Sequence, residues 1–225
     1  MTDNKEFDYI VVGAGSAGCI VAARLTEDPN VKVLILEAGG KDTDPLIRIP
    51  LGLGKMHEGR KHDWGYDAEA EARLDGREIE AMRGKVLGGS SSINVMAYVR
   101  GHMGDYDRWA QKGAQGWSYA DVLPYLKKCE NWEDGESPWR GGSGPMKTQW
   151  ARNDDPLLTD WKQACVEAGF GLTNDYNGEQ PEGFGDSQST IAGGRRCSAA
   201  YAYLHPASGR ENLTIETNAH AGKVI

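Results

Sequence analysis

The sequence has no long apolar run, no excess of positive charge and no paired-cysteine motif. Its 225 residues include 33 acidic and 25 basic side chains, a formal net charge of −8. Nucleic-acid binding needs a basic surface for the phosphates, so this balance argues against such a partner. No apolar stretch approaches the roughly 18 residues of a transmembrane segment. The polar start, MTDNKEF, lacks the profile of a secretory signal, and we expect a soluble, cytoplasmic protein.

Metal and disulfide chemistry also lack their usual spacing. The four cysteines are far apart and include no CxxC pair, which favours free thiols in a reducing compartment: Cys19, Cys129, Cys165 and Cys197. No two of the five histidines have the i, i+4 spacing of a helical metal site, so we expect no metal and interpret them as surface or loop residues: His57, His62, His102, His205 and His220.

The composition is otherwise that of a globular protein. Apolar residues make up 39% and charged residues 26% of the chain, and the length suits one large or two small domains. The 30 glycines exceed the usual share of about 7%, which indicates many tight turns or close backbone approaches.

A strand, a glycine turn, a helix and a second strand begin the chain. Residues Phe7 to Val12 form a short β-rich run, and Cys19 to Leu25 then place apolar residues at helical spacing. Val31 to Leu36 have branched residues on both parities, as in a parallel strand that is buried on both faces. This order predicts a βαβ unit and an α/β, Rossmann-like fold with a parallel sheet.

The glycines between the first strand and the helix are spaced for a dinucleotide. Gly13 permits the tight turn, Gly15 lets the backbone approach a pyrophosphate, and Gly18 lets the helix pack closely on the strand. Glu37 ends the second strand, nineteen positions after Gly18, where a carboxylate can accept hydrogen bonds from ribose hydroxyls. Because NAD and FAD share the same ADP half, this unit alone does not separate them.

The remaining pattern is less regular. Residues 39 to 77 form a polar excursion that contains Trp64 and Tyr66, too aromatic for a disordered linker. We expect three helices, at 105 to 112, at 118 to 129 with Ser118 and Asp121 as a capping box, and at 156 to 168 with Asp155 as N-cap. Strands are expected at 212 to 217 and 222 to 225. Arg195 and Arg196 could pair with phosphate or with a carboxylate in a structural salt bridge.

A block of small residues, RGKVLGGSSSINVMAYVRGHMGDYD at 83 to 107, resembles the first signature of the glucose-methanol-choline (GMC) oxidoreductases. The matching residues are Gly84, Lys85, Leu87, Gly88, Gly89, Ser90, Ser91, Ile93, Asn94, Tyr98, Gly101 and Asp107. DWGY at 63 to 66, WSYADVLPYLKKCE at 117 to 130 and GRRCSAAYAYLHPA at 194 to 207 extend the resemblance over nearly the whole chain. The sequences of these segments are most similar to those of choline dehydrogenases and bacterial FAD-dependent alcohol dehydrogenases.

The resemblance implies FAD as the cofactor. It assigns pyrophosphate contact to the glycine-rich block and contact with the isoalloxazine ring to Asn94 through Ala97. The expected cofactor-binding residues are Gly13, Gly15, Ser16, Ala17, Gly18, Glu37, Ala38, Trp64, Val86, Gly88, Gly89, Ser90, Asn94, Val95, Met96, Ala97 and Val224. Some relatives attach FAD through a histidine directly before the signature asparagine; Ile93 stands there, so we expect non-covalent FAD.

The implied activity is oxidation of an alcohol to an aldehyde or ketone, with hydride transfer to flavin N5. The partners would be a small-molecule alcohol and an electron acceptor, and both oxygen and a quinone-type acceptor fit these residues. Two alternatives stay open: a non-redox member of the family, such as a hydroxynitrile lyase, and an inactive dinucleotide-binding fragment.

Family members are much longer, and their catalytic histidine, with its histidine or asparagine partner, comes from the later half; we therefore assign no catalytic residue. We expect the chain to be part of a two-domain enzyme that lacks most of its antiparallel substrate sheet and is inactive without a carboxy-terminal half. We divide it into an FAD-binding domain (1–145, with an excursion or lid at 39–82), the start of a substrate-binding part (146–208) and return strands (209–225).

Overall fold

The computed structural model describes residues 6–153 and 155–224. Its strands are β1 (Tyr9–Val12), β2 (Val33–Glu37), β3 (Glu130–Trp132), β4 (Met146–Trp150), β5 (Gln188–Ser189), β6 (Ile191–Ala192), β7 (Arg195–Arg196) and β8 (Leu213–Thr217). Its α-helices are α1 (Ser16–Leu25), α2 (Pro45–Arg48), α3 (Leu53–Glu58), α4 (Met103–Gln111), α5 (Tyr119–Cys129), α6 (Pro156–Glu167) and α7 (His205–Ala207). Tighter 3₁₀ turns occur at Pro50–Gly52, Ala72–Leu74 and Gly89–Ser92, and a π-helical turn occurs at Ala200–Leu204.

The chain forms two compact units. The first comprises the chain up to Val95 together with the residues from Gly193 onward, and the second runs from Met96 to Ala192. These boundaries differ from the division at 145/146 that we expected from the sequence. The functional assignment of the three predicted segments stays a prediction.

A parallel sheet organises the first unit. Strand β2 lies between β1 and β8 and runs parallel to both, with Val12 opposite Leu36 and Glu37 opposite Thr217. Helix α1 follows β1 directly, and its buried residues are small: Cys19, Ala22 and Ala23. Small side chains allow close packing, here against the turn at Ala200–Leu204. The predicted βαβ unit and α/β fold are confirmed.

Burial of the sheet is one-sided among the described residues. Val33 and Ile35 of β2 are buried, while Leu34 and Leu36 on the other parity are only half-buried. On β1, Ile10 and Val12 are exposed. The expectation that the second strand is buried on both faces is therefore correct for one face only, and helix α1 packs against this strand.

Residues 39 to 82 are ordered, as expected from their aromatic content. Helices α2 and α3 begin the segment, and Asp44 starts α2 by accepting a hydrogen bond from the Leu46 N–H. The chain then folds back on itself through antiparallel bridges: Asp63–Gly84, Asp67–Glu80 and Glu71–Arg77. An apolar core anchors the segment to the glycine-rich block and consists of Ile47, Met56, Val86 and Ile93.

The second unit contains the three predicted helices and a small mixed sheet. In that sheet β4 lies between β3, its parallel neighbour, and the antiparallel β5. The Ser118–Asp121 capping box is present at α5, and Asp155 caps α6 by accepting from the Leu157 N–H. The centre of the unit is polar: Glu130 is fully buried and accepts hydrogen bonds from Arg100 and Arg140.

The end of the chain departs from one expectation. Strand β8 confirms the prediction for 212 to 217, but residues 222 to 224 lie in no strand, and Ile225 lies outside the described residues. A strand needs a hydrogen-bonded neighbour, and the described residues offer none to 222–224. Within the described ranges, no helix is long and apolar enough to cross a membrane.

Candidate dinucleotide-binding site

The turn between β1 and α1 has the geometry that its three glycines predict. Gly13 has φ of +92°, and its N–H donates to the Leu36 carbonyl at 2.8 Å. A Cβ at Gly18 would lie 1.9 Å from the Gly13 carbonyl oxygen, so only glycine fits there. A Cβ at Gly15, by contrast, would meet nothing within 4 Å. Protein packing therefore explains Gly18, whereas Gly15 borders open space.

That open space lies against the start of α1. Gly15 is the N-cap, and no described side chain caps the helix. The first N–H groups of a helix lack intrahelical partners and carry partial positive charge, which suits an anion. The open side of Gly15 and this uncapped helix start together fit a phosphate group, as the sequence predicts.

Glu37 ends β2 beside this turn and is only 5% exposed. One carboxylate oxygen accepts from the Ala14 N–H at 2.9 Å and the other from the Gly39 N–H at 2.8 Å. The carboxylate thus holds the glycine turn and the chain after β2 together. Each oxygen has a second lone pair, so the group retains the capacity to accept from ribose hydroxyls.

The second glycine-rich loop packs directly on the first. The Gly88 N–H donates to the Ala14 carbonyl at 2.7 Å, and a Cβ at Gly89 would lie 2.6 Å from the Gly15 Cα. Gly88 and Gly89 both have positive φ, of +87° and +54°. This backbone contact requires glycine and brings the two motifs, more than 70 positions apart in sequence, to one place.

A cavity of about 330 Å³ opens where the loops meet, at the carboxyl ends of β1, β2 and β8. Ligands of open α/β sheets bind at this end of the strands. The cavity is lined by Val12, Gly13, Gly15, Leu36, Glu37, Ala38, Trp64, Gly84, Gly89, Ala219, His220 and Ala221. Six residues of the predicted set are therefore brought together here: Gly13, Gly15, Glu37, Ala38, Trp64 and Gly89.

Aromatic rings form one wall of this cavity. Trp64 stacks on Tyr66 with ring centroids 5.8 Å apart and meets His220 edge-on at 5.5 Å. The Lys85 ammonium lies 4.7 Å from the Trp64 ring centroid. A flat apolar surface beside a positive charge suits a ligand that has both an aromatic ring and phosphate.

The other predicted residues lie elsewhere. Ser16, Ala17 and Gly18 form the first turn of α1 without lining the cavity, and Val86 is buried in the apolar core. Gly88 donates its N–H to the Ala14 carbonyl, and the Ser90 hydroxyl accepts from the Gly84 N–H at 3.1 Å. These residues shape the loops whose backbone faces the cavity.

The residues assigned to the flavin ring are divided between the units. Asn94 and Val95 end the first segment of the first unit, where Val95 is exposed. Met96 and Ala97 begin the second unit, where Ala97 pairs with Ser189. Val224 is 96% exposed and does not line the cavity; Ala219, His220 and Ala221 occupy the wall after β8.

Sequence reasoning assigned no binding role to Gly84, Ala219, His220 or Ala221. The signal for the last three was their position directly after a parallel strand, since the residues that follow such strands gather at one edge of the sheet. Gly84 has a different reason: its Cβ would lie 2.3 Å from the Gly89 backbone.

Two histidines outside the cavity have carboxylate partners. His62 and His205 pair with Asp44 and Asp42, each at 2.9 Å, and the His62 hydrogen bond holds the Asp44 pKa below its usual value. Burial raises the pKa of the Cys19 thiol to about 12. Nowhere in 6–153 and 155–224 do three metal-ligating side chains cluster.

A larger open groove of about 690 Å³ lies at the opposite, amino-terminal end of the sheet. Two of its polar side chains already have protein partners: Arg210 donates to the Ala23 carbonyl and Thr26, and Asn212 donates to the Val31 carbonyl. We therefore place the functional site in the smaller cavity at the glycine loops.

Known proteins resemble this chain over nearly its whole length. The sequence profile described as GMC oxidoreductase matches residues 7–225. The chain belongs to the GMC oxidoreductase family. It is 49% identical over 210 residues to an oxygen-dependent choline dehydrogenase of Brucella ovis, a match that covers 93% of this chain and 38% of that protein. This GMC chain thus spans less than half the length of the curated relatives it matches.

Solved structures of the family share the fold. A pyridoxine 4-oxidase from Mesorbium loti superposes with a TM-score of 0.84 at 36% identity, covering 95% of this chain and 42% of that one. A formate oxidase from Aspergillus oryzae, whose structure concerns FAD modification, gives a TM-score of 0.84 at 33% identity and covers 100% and 40%. The fold of this GMC chain is the amino-terminal FAD-binding fold of the family.

Proposed function

We propose that this chain supplies most of the site for non-covalently bound FAD in an enzyme that oxidises an alcohol to an aldehyde or ketone. One observation carries the proposal: two glycine loops meet at Gly15 and Gly89, and the Gly15 side is open at an uncapped helix start. A nicotinamide site needs only the first loop. The second loop supports FAD as the ligand.

Within this site the residues have separate tasks. Gly15 and the start of α1 would receive the diphosphate, Glu37 would accept from the ribose hydroxyls, and Trp64 would border the adenosine half. The loop from Gly88 to Asn94 would continue toward the flavin ring, with Val95, Met96 and Ala97 after it. When bound there, FAD would supply the acceptor for the hydride of the carbinol carbon, and these residues would position the cofactor and shape its surroundings.

We propose choline as the first substrate to test and oxygen as the first acceptor, because the relatives at about half identity are named oxygen-dependent choline dehydrogenases. A cytoplasmic location is supported by the four free cysteines. The complete enzyme's catalytic groups would come from sequence beyond the span that this chain shares with its relatives.

The test is anaerobic mixing of the purified protein, expressed from its gene, with choline and with simple primary alcohols. Loss of flavin absorbance, restored by admitting oxygen, is the expected result. A flavoprotein whose absorbance no alcohol changes would contradict the oxidation and favour a non-redox role for FAD. A protein that retains NAD in place of flavin would contradict the assignment of the site itself.

A further inference from the structure

Arg196 has surroundings that neither of the two sequence-based interpretations describes. The residue is 1% exposed, yet no carboxylate among the described residues forms an ion pair with it. It donates instead to main-chain carbonyls and to one amide side chain. Nε donates to the Ile47 carbonyl at 2.9 Å, and Nη1 donates to the Asn94 carbonyl and the Asn94 Oδ1 at 2.7 and 2.8 Å.

These bonds hold the far end of the second glycine loop. Nη1 also lies 3.3 Å from the Ser91 carbonyl, near the end of the 3₁₀ turn Gly89–Ser92. The segment Gly88–Ser92 consists of two glycines and three serines. Because glycine has the widest range of backbone conformations, such a segment needs outside contacts to hold one conformation. Arg196 thus holds the carboxyl-terminal end of a loop whose residue Gly89 packs against Gly15.

Within the described part of the chain, no opposite charge lies beside that of Arg196. Burial lowers its pKa to about 10, so the guanidinium remains positive at neutral pH. Its Nη2 is buried and has no hydrogen-bond partner in the described part of the chain. Buried charges normally have a counter-charge because desolvation is costly, so this one indicates a role other than stability.

We propose that Arg196 is a positioning residue that holds Asn94 and the second glycine loop against FAD and sets a positive potential at the flavin. The proposal rests on the proposed function, which places Asn94 beside the ring. A hydride carries two electrons and one proton, so its transfer adds one negative charge to the acceptor. A fixed positive charge nearby favours that more negative state and raises the reduction potential.

Positioning and charge are separable by substitution. Arg196→Lys keeps the charge and loses the planar fork that reaches several carbonyls at once. Arg196→Gln and the apolar Arg196→Met remove the charge. Arg195→Gln is the matched control, because Arg195 is the neighbouring residue of β7 and is exposed.

The experiment measures the FAD dissociation constant and the two-electron flavin potential of the purified holoenzyme, by equilibration with a reference dye. We expect Arg196→Gln and Arg196→Met to shift the reduction equilibrium at least tenfold toward oxidised flavin, a fall of about 30 mV. All three Arg196 variants should bind FAD at least tenfold more weakly, while Arg196→Lys keeps the wild-type potential. Arg195→Gln should change neither quantity.

A folded neutral variant with the wild-type potential and FAD affinity would overturn the proposal. An Arg196→Lys protein whose flavin potential falls by about 30 mV would also overturn it, because the positive charge is still present. This second result tests the charge even if neither neutral variant folds. Wild-type protein that binds no FAD would contradict the proposed function instead, which distinguishes the two failures.

Discussion

At the scale of single residues, Glu37 accepts from two backbone N–H groups of the site, and we propose that it also accepts from the ribose hydroxyls of FAD. In Glu37→Gln one carboxylate oxygen becomes an NH₂ group, which cannot accept from Ala14 or Gly39. A buried N–H left without an acceptor costs about 1–3 kcal/mol, so we expect a loss of that size in unfolding free energy. FAD affinity should fall at least tenfold, because the ribose acceptor is altered as well. Urea titration and flavin fluorescence measure the two effects.

Glu216→Gln is the control for this change, since Glu216 is an exposed residue of the neighbouring strand β8. It should alter neither quantity. Equal FAD affinity in wild type and Glu37→Gln would remove Glu37 from the ligand site and leave it a purely structural role.

Cys19 gives a prediction about pH. Its thiol lies in the buried face of α1, and burial raises its pKa from 9.0 to about 12. Between those values the unfolded chain has lost the thiol proton and the folded chain retains it, so stability falls as pH rises. We expect the urea midpoint of the wild type to fall more between about pH 8 and pH 10 than that of Cys19→Ala. Parallel pH profiles of the two proteins would contradict this account of the thiol.

Sequence reasoning predicts best the residues whose surroundings are set by local structure. Gly13 and Gly18 follow from the turn between the first strand and the helix, and Glu37 follows from the end of the second strand. The contacts of Arg196 and His220 were not predicted, because both residues contact partners more than 100 positions away in the chain. Hydrophobic periodicity along the sequence does not predict such long-range contacts.

At the scale of elements, the β1–α1 turn separates ligand binding from packing. Gly15 has φ of −73°, which alanine adopts freely, and a Cβ there meets no protein atom within 4 Å. We expect Gly15→Ala to leave stability unchanged and to weaken FAD binding at least tenfold, because the methyl group occupies the side that the diphosphate approaches. Thermal unfolding and FAD titration of the apoprotein test both halves of this expectation.

Gly18→Ala is the contrasting variant. Its Cβ would lie 1.9 Å from the Gly13 carbonyl oxygen, so helix and turn must separate and the protein should lose stability outright. Gly209→Ala, with nothing within 4 Å, is the neutral control. If Gly15→Ala retained full FAD affinity, the open space at Gly15 would not be the diphosphate site.

The helices show why some elements were predictable and one was not. Helices α5 and α6 have local start signals, a capping box at Ser118 and the Asp155–Pro156 pair, and both occur as predicted. The π-helical turn Ala200–Leu204 has no local signal. It packs against α1, so its unusual winding depends on the tertiary structure.

At the scale of the whole molecule, the family resemblance predicted more than residue patterns could. Hydrophobic periodicity predicted the βαβ unit at the start of the chain. It did not predict that β8 pairs with β2, because this pairing joins segments about 180 positions apart. The two glycine loops were assigned to one cofactor by resemblance, and their contact at Gly15 and Gly89 gives the physical reason. The two compact units, with boundaries after Val95 and Ala192, could not be predicted from the composition.

The most direct test of the account is the identity and release of the bound cofactor. Protein purified from its gene should be yellow and contain stoichiometric FAD. Acid precipitation should release all the flavin into the supernatant, because Ile93 is buried in the apolar core and offers no nucleophilic atom. Flavin that stays on the pellet would contradict non-covalent binding, and a colourless protein that retains NAD would contradict the central claim that two glycine loops bind FAD.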